Sequence, residues 1–97
     1  KIVLLDNEYL GMVRQWQQLF FEKRYSSVAL QNPDFIKIAD GFGVAGSMVS
    51  DPKDLEKSID IMLKHDGPYL LHVRVEKEEN IFPMIQTGAS VGEIRLE

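Results

Sequence analysis

The residues best placed to do chemistry stand near the amino end, in the run Asp6-Asn7-Glu8, with Gly11 three positions on. Carboxylate and amide oxygens side by side are ligands of the kind Mg²⁺ takes, usually together with phosphate oxygens. A glycine at the opening of a helix lets the backbone come close to a ligand. The helix N-terminus itself offers free N–H groups and a partial positive charge, which suit a phosphate. A diphosphate–Mg²⁺ site is therefore permitted at residues 6–11. A polar strand-to-helix turn closed by an Asx cap uses the same residue types, is the commoner arrangement, and fits equally well on local chemistry.

Other chemistries are narrowed by what the chain lacks. There is no cysteine, which removes thiol nucleophiles, zinc–thiolate sites and disulfides, and is compatible with a reducing cytosol. The two histidines, His65 and His72, have no neighbours that suggest a triad or a metal cage, and both read as structural. Arg14 and Arg24 could bind carboxylates, but single arginines on helix surfaces are mostly solvated. The acidic cluster at 76–79 reads as a solvated loop. The formal charge is −4 and no Lys/Arg cluster stands out, which argues against nucleic acid or an anionic membrane surface as a partner. No apolar run approaches the roughly 20 residues of a membrane helix, and a cytoplasmic location is expected. The chain opens directly on KIVLL, without Met or lead-in, and the expectation is a trimmed chain.

The elements that must position residues 6–11 follow from periodicity. Residues 1–5 form a continuous apolar run suited to a strand buried on both faces. From about 10 to 23 the pattern is helical, with Met12, Trp16, Leu19 and Phe20 on one face. Residues 25–30 have no period and read as loop. Asn32-Pro33 signals a helix start, with Asn as the cap and Pro in the first turn. Phe35, Ile38, Ala39 and Phe42 continue that helix until Gly41 and Gly43. A second strand spans 44–49. Ser50-Asp51-Pro52 repeats the start signal for a helix carrying Leu55, Ile59, Met62 and Leu63, which stops at Gly67-Pro68. A third strand spans 69–75. Beyond it the chain is polar, with an apolar island at Ile81-Phe82-Pro83-Met84. The order β-α-α-β-α-β predicts an α/β fold with a parallel sheet and helices on both faces. Three strands make a thin sheet with open edges, so more sheet is expected upstream. In open α/β sheets ligands bind beyond the carboxyl ends of the strands, where Asp6–Gly11 would lie.

The run Asp6-Asn7-Glu8-Tyr9-Leu10-Gly11-Met12-Val13-Arg14-Gln15-Trp16-Gln17 resembles the second half of the thiamine diphosphate motif, as it stands in acetolactate synthase (acetohydroxyacid synthase) catalytic subunits. GMVRQWQ is specific to that family. The resemblance covers nearly the whole chain. Arg24-Tyr25-Ser26, Asn32-Pro33-Asp34-Phe35, and Gly67-Pro68 before an apolar strand occur in the same order. Glu78-Glu79-Asn80-Ile81-Phe82-Pro83-Met84 matches the tail that folds back over the active site. The general motif opens with Gly-Asp-Gly, expected upstream of Lys1, and ends in Asn-Asn. Here Asp6 replaces the first Asn, and Asn7, the metal-ligand position, is retained.

The resemblance implies that residues 1–97 are the C-terminal portion of a thiamine diphosphate-binding domain, incomplete, with 76–97 as a tail over the active site. It implies Mg²⁺ held by Asn7 and the carbonyl of Tyr9, and a diphosphate facing the amides around Leu10 and Gly11. Met12 and Val13 would face the cofactor rings. Trp16, otherwise a helical packing residue, would line the pocket of the second substrate together with Met12, and Thr87 would stand at the channel mouth. No catalytic residue is implied in this segment, because the acid that activates the cofactor ring lies in another domain and acts across a subunit interface. The implied activity decarboxylates pyruvate and joins the hydroxyethyl unit to a second 2-keto acid, pyruvate or 2-ketobutyrate, in branched-chain amino-acid biosynthesis. The implied partners are the rest of the catalytic chain with its FAD, a second subunit of a dimer or tetramer, and a regulatory small subunit. The isolated segment is expected to be inactive. Two other readings are another thiamine diphosphate-dependent carboligase or decarboxylase, and a non-catalytic α/β interaction module.

Overall fold

In the computed structural model, which describes residues 1–97, the apolar runs become the strands of one parallel sheet. Strand β1 spans Ile2–Asp6, helix α1 Gly11–Phe20, helix α2 Phe35–Gly41, and strand β2 Ala45–Val49. A 3₁₀ turn at Pro52–Asp54 leads into helix α3, Leu55–Lys64, and strand β3 follows at Tyr69–Arg74. The sheet order is β1-β3-β2, and both pairings are parallel. The expected α/β order is what forms.

Alternation along β3 divides the core in two. Tyr69, Leu71 and Val73 face one side, where Val49 of β2 and Met62 and Leu55 of α3 close over them. Leu71 is wholly buried there. On the other side Leu70 and His72 meet α2, with the Phe35 ring edge-on to His72. Helices thus cover both faces. Gly46 permits the tight packing of β2, because a Cβ there would stand 2.9 Å from the Leu70 carbonyl oxygen. The stripe of α3 is narrower than its sequence suggests: Met62 is buried, whereas Leu63 points outward. Strand β1 is an edge, and Val3 and Leu5, in register with Leu71 and Val73, are more than half exposed.

Two helix starts are built from short-range chemistry. Asp51 accepts the Lys53 amide at 2.9 Å ahead of Pro52, as its motif predicts. For α2 the cap is Asp34, not Asn32. Asp34 takes the amides of Ile36 and Lys37, both at 3.1 Å. Asn32 lies too far ahead of the first turn and spends its side chain elsewhere.

Helix α1 does not lie on the sheet. It stands off with the carboxyl-terminal segment, and the chain is elongated, 49 × 27 × 23 Å. Its radius of gyration is 17.4 Å, against about 13 Å for a compact chain of this length. The buried face of α1 is also not the expected apolar stripe. Arg14 and Gln15 are 1% exposed, while Met12 is 48% exposed. The reason is the tail. Gln15 binds the backbone of Ile81 on both sides, at 2.8 and 2.9 Å, and Arg14 donates to Asn80 Oδ1 at 2.9 Å. The expectation that Arg14 is solvated is thereby corrected. The tail itself pairs as a small antiparallel ribbon, β4 (Met84–Ile85) with β5 (Ile94–Arg95), which periodicity did not reveal because each strand is two residues long.

Candidate half-site at the carboxyl end of strand β1

The turn after β1 is held by its own side chains. Asp6 Oδ1 accepts the amide of Glu8 at 2.8 Å, and Asn7 Oδ1 accepts the amide of Tyr9 at 3.1 Å. These overlapping Asx turns are the local reason for Asp-Asn at this place. Between them Glu8 adopts φ = 57°, a left-handed conformation that costs an L-residue about 1 kcal/mol. The surroundings offset it. The Glu8 carbonyl accepts Leu30 N–H, Leu10 N–H donates to the Val28 carbonyl, and Tyr9 forms a bridge with Ala29. Val28, in a segment read as plain loop, is buried by this pairing.

Helix α1 then begins without a cap. Leu10 stands at the cap position and offers no side-chain acceptor, and the first turn holds no acidic residue. The amides of Gly11, Met12 and Val13 donate to nothing within the chain. The contrast with α2 and with the 3₁₀ turn is informative, since aspartates close both of those starts. Three unanswered N–H groups at the positive end of a helix dipole form an anion seat. Leu10 does not share in it, because its amide is already donated. The seat begins at Gly11, one residue later than expected. Gly11 also keeps space open, because a Cβ there would stand 3.1 Å from Asn7 Nδ2.

Behind the turn, Asp6 is buried, and its Oδ2 lies 2.9 Å from His72 Nε2. Asn32 Nδ2 donates to its Oδ1 at 2.8 Å. Burial alone would raise the Asp6 carboxyl. The Glu8 amide, the His72 hydrogen bond and the nearby charges of His72 and Arg74 outweigh burial and hold it below the usual carboxylate value. Asp6 therefore stays ionised. Arg74 pairs with Glu8 at the surface of the same turn.

The residues present fit a diphosphate and a hard cation. Asn7 Oδ1 and the Tyr9 carbonyl, which accepts no hydrogen bond, are neutral oxygens of the type Mg²⁺ accepts. Two donors are not a full set, and no cluster of three His, Asp or Glu side chains supplements them. A separate cleft lies between the ends of β2 and β3, lined by Val49, Asp51, Leu55 and Arg74. The turn is thus an open half-site. Met12 and Val13 project from the first turn of α1, each about half exposed. Trp16 follows one turn later, half-buried against Phe20 with ring centroids 4.8 Å apart. Thr87 is separate. It lies exposed in the turn closed by Ala89 N–H to the Gln86 carbonyl, and no hydrogen bond joins it to α1.

Sequence reasoning missed the Asp6–His72–Asn32 cluster and the Arg14/Gln15 contact with the tail. A signal for the first existed. His72 is flanked by apolar residues on a strand, so its side chain must face a covered surface and needs a partner there. Register against β1 puts Leu4 opposite it and Asp6 one step along the same face.

Comparison with known proteins supplies the context. Residues 1–73 match the family model described as thiamine pyrophosphate enzyme, C-terminal TPP binding domain. The large subunit of acetolactate synthase isozyme 2 of Escherichia coli (strain K12) is 53% identical over 95 residues, which is 97% of this chain and 17% of that protein. The mitochondrial catalytic subunits of acetolactate synthase from Aspergillus candidus and Saccharomyces cerevisiae are 44% and 42% identical over 93 residues each. These alignments cover 96% of this chain and 13% and 14% of those proteins. The chain thus spans 13–17% of the length of these relatives.

Proposed function

Because the chain belongs to the thiamine pyrophosphate enzymes, as part of their C-terminal TPP-binding domain, we propose that it forms half of the thiamine diphosphate–Mg²⁺ site of an acetolactate synthase catalytic subunit. The observation that carries this reading is the uncapped start of α1. The amides of Gly11, Met12 and Val13 stand without acceptors beside Asn7 Oδ1, which accepts only the Tyr9 amide, and the Tyr9 carbonyl, which accepts nothing.

In this reading Asn7 Oδ1 and the Tyr9 carbonyl hold Mg²⁺, and the amides of Gly11–Val13 receive the diphosphate. When bound, thiamine diphosphate would supply the electron sink that lets pyruvate lose CO₂ and its remaining two carbons join a second 2-keto acid. The chain's own residues bind, orient and dry that site. Met12 and Val13, exposed here, pack against the cofactor rings. Trp16 forms a wall for the second keto acid, Thr87 stands near the channel mouth, and the 76–97 tail covers the approach. The remaining metal ligand, the ring-activating acid and FAD belong to the rest of the catalytic chain and to a second subunit. A regulatory small subunit and a cytoplasmic location complete the reading. No helix here is long and apolar enough to cross a membrane.

The test is made on the full-length protein that carries this segment. It is expected to form acetolactate from pyruvate only when thiamine diphosphate and Mg²⁺ are both supplied. Formation of a different carboligation or decarboxylation product would move the reading to another thiamine enzyme, and no turnover of any 2-keto acid would sink it. Trp16 tests the acceptor pocket separately. A flat indole wall selects for one extra methylene through contact worth ~1–3 kcal/mol. Trp16→Leu is therefore expected to lower the preference for 2-ketobutyrate over pyruvate by about tenfold or more. Competition between the two acids at fixed ratio reads it directly, and an unchanged product ratio would remove Trp16 from the pocket.

A further inference from the structure

Asn7 is flanked by two carboxylates, and the same strand grips both. His72 and Arg74 alternate along β3 and so reach the same face of the sheet, where they meet Asp6 and Glu8. The Arg74–Glu8 pair is half exposed and contributes little by itself. The Asp6 pair is different in kind. Asp6 and His72 are each 6% exposed, and three bonds reach the two oxygens of the carboxylate. Oδ2 takes His72 Nε2 at 2.9 Å, and Oδ1 takes Asn32 Nδ2 and the Glu8 amide, both at 2.8 Å. The last bond is the informative one. The Glu8 amide belongs to the peptide that follows Asn7, so the Asp6 carboxylate fixes the backbone on the carboxyl side of Asn7. It does so at the entry to a left-handed residue, Glu8, whose conformation is costly for an L side chain. His72 is held in turn by the Phe35 ring, 5.3 Å away and edge-on. Three separate elements converge on one carboxylate: β1, β3 and the segment leading into α2.

We propose that His72 and Asn32 are positioning residues for the cofactor half-site. Through Asp6 they set the turn that aims Asn7 Oδ1 and the Tyr9 carbonyl at the metal. Neither residue touches the cofactor. The inference rests on the thiamine diphosphate reading of Asn7. It assigns a role to Asp6, the position at which this chain departs from Asn-Asn. The Asp6 carboxylate accepts from three groups at once, which an amide side chain with one oxygen and one NH₂ cannot reproduce against the same donors.

The test uses the intact enzyme, with thiamine diphosphate and Mg²⁺ titrated separately by calorimetry and the melting temperature of the apo form recorded alongside. Outer partners of metal-site groups typically govern affinity by 10–100-fold. His72→Leu is expected to weaken Mg²⁺-dependent thiamine diphosphate binding at least about tenfold. His72→Gln, which keeps an N–H donor toward Asp6, should recover most of that loss. Asn32 is exposed, so Asn32→Ala should fold normally. It should still weaken cofactor binding by about tenfold, at the low end of such effects, with no matching fall in apo melting temperature. Parent affinity in Asn32→Ala and in folded His72→Leu, with Asn7→Ala impaired, overturns the proposal and leaves the cofactor reading intact. Parent affinity in Asn7→Ala overturns both. If His72→Leu does not fold, Asn32→Ala and the His72→Gln comparison decide.

Discussion

Asn7→Ala in the full-length protein is expected to weaken Mg²⁺-dependent binding of thiamine diphosphate by on the order of 100-fold or more, beyond the range typical of outer-shell changes. The half-site has few donors. Asn7 supplies its one side-chain oxygen, which keeps a second lone pair beside the bond from the Tyr9 amide, and the Tyr9 carbonyl supplies the other. Mg²⁺ demands near-ideal octahedral geometry and tolerates a lost ligand poorly. The structural cost is smaller. Alanine forfeits one hydrogen bond, to the Tyr9 amide, worth about 1 kcal/mol. The apo enzyme should therefore melt within a few degrees of the parent while cofactor affinity collapses. Two comparisons sharpen the result. Tyr9→Phe should bind within about twofold of the parent, because only the backbone oxygen of Tyr9 is used. Asn7→Asp keeps an oxygen for the metal but adds negative charge beside Asp6 and Glu8, so it should hold Mg²⁺ better than alanine does and thiamine diphosphate worse than the parent. Titration calorimetry on the three variants reads all of this. Near-parent affinity in Asn7→Ala would dismiss Asn7 as a ligand.

What the sequence made legible was local. The strands at 2–6 and 69–74 announce themselves as short runs rich in β-formers, the strand at 45–49 by its place between two helix signals, and Asp51-Pro52 announces a helix start, because each signal lies within a few residues. The strand–turn–helix at Asp6–Gly11 was legible for the same reason. Two Asx turns and a glycine are short-range chemistry. What failed was decided at long range. Asn32 and Asp34 are both competent caps by type, and the choice fell to Asp34 because Asp6, 26 residues upstream, claims Asn32. Arg14 and Gln15 are polar residues on an amphipathic helix, and by pattern they belong outside. They are inside because the tail, 65–69 residues later, brings backbone groups that only polar side chains can satisfy. Of the apolar stripe of the same helix, Met12 is left outward, as is Val13 beside it. Periodicity locates an apolar face but does not say what will cover it. The Asp6–His72 pair is the intermediate case, since strand register makes it deducible once β1 and β3 are known to be neighbours.

The contact between α1 and the tail yields the second large effect. Gln15 acts as a strand edge compressed into one side chain. Its Nε2 donates to the Ile81 carbonyl and its Oε1 accepts the Ile81 amide, while Met84 Sδ sits 3.1 Å from the same nitrogen. Gln15→Leu removes both bonds and offers two backbone groups an apolar surface instead. Each lost bond is worth about 0.5–1.5 kcal/mol, and stranding a buried polar group adds ~1–3 kcal/mol. The chain escapes that penalty by lifting the tail into water. The expected outcome is a released 76–97 segment rather than a melted domain, because the sheet core around Leu71 is untouched. Hydrogen exchange at Ile81, Met84 and Arg95 should rise by about 10-fold or more, as an opening of ~1.4 kcal/mol or greater requires, with β3 amides unchanged. Arg14→Met is the revealing contrast. Arg14 also binds the tail, but no carboxylate faces it, and its buried Nε has no partner. Its attraction to the tail is therefore set against an uncompensated desolvation cost, which methionine removes while keeping the packing of the stem. Arg14→Met should thus open the tail less than Gln15→Leu. The reverse order would mean that the bonds of the guanidinium to Asn80 and Gln18 outweigh the burial of its charge. The latch would then be ionic rather than an amide paired with backbone.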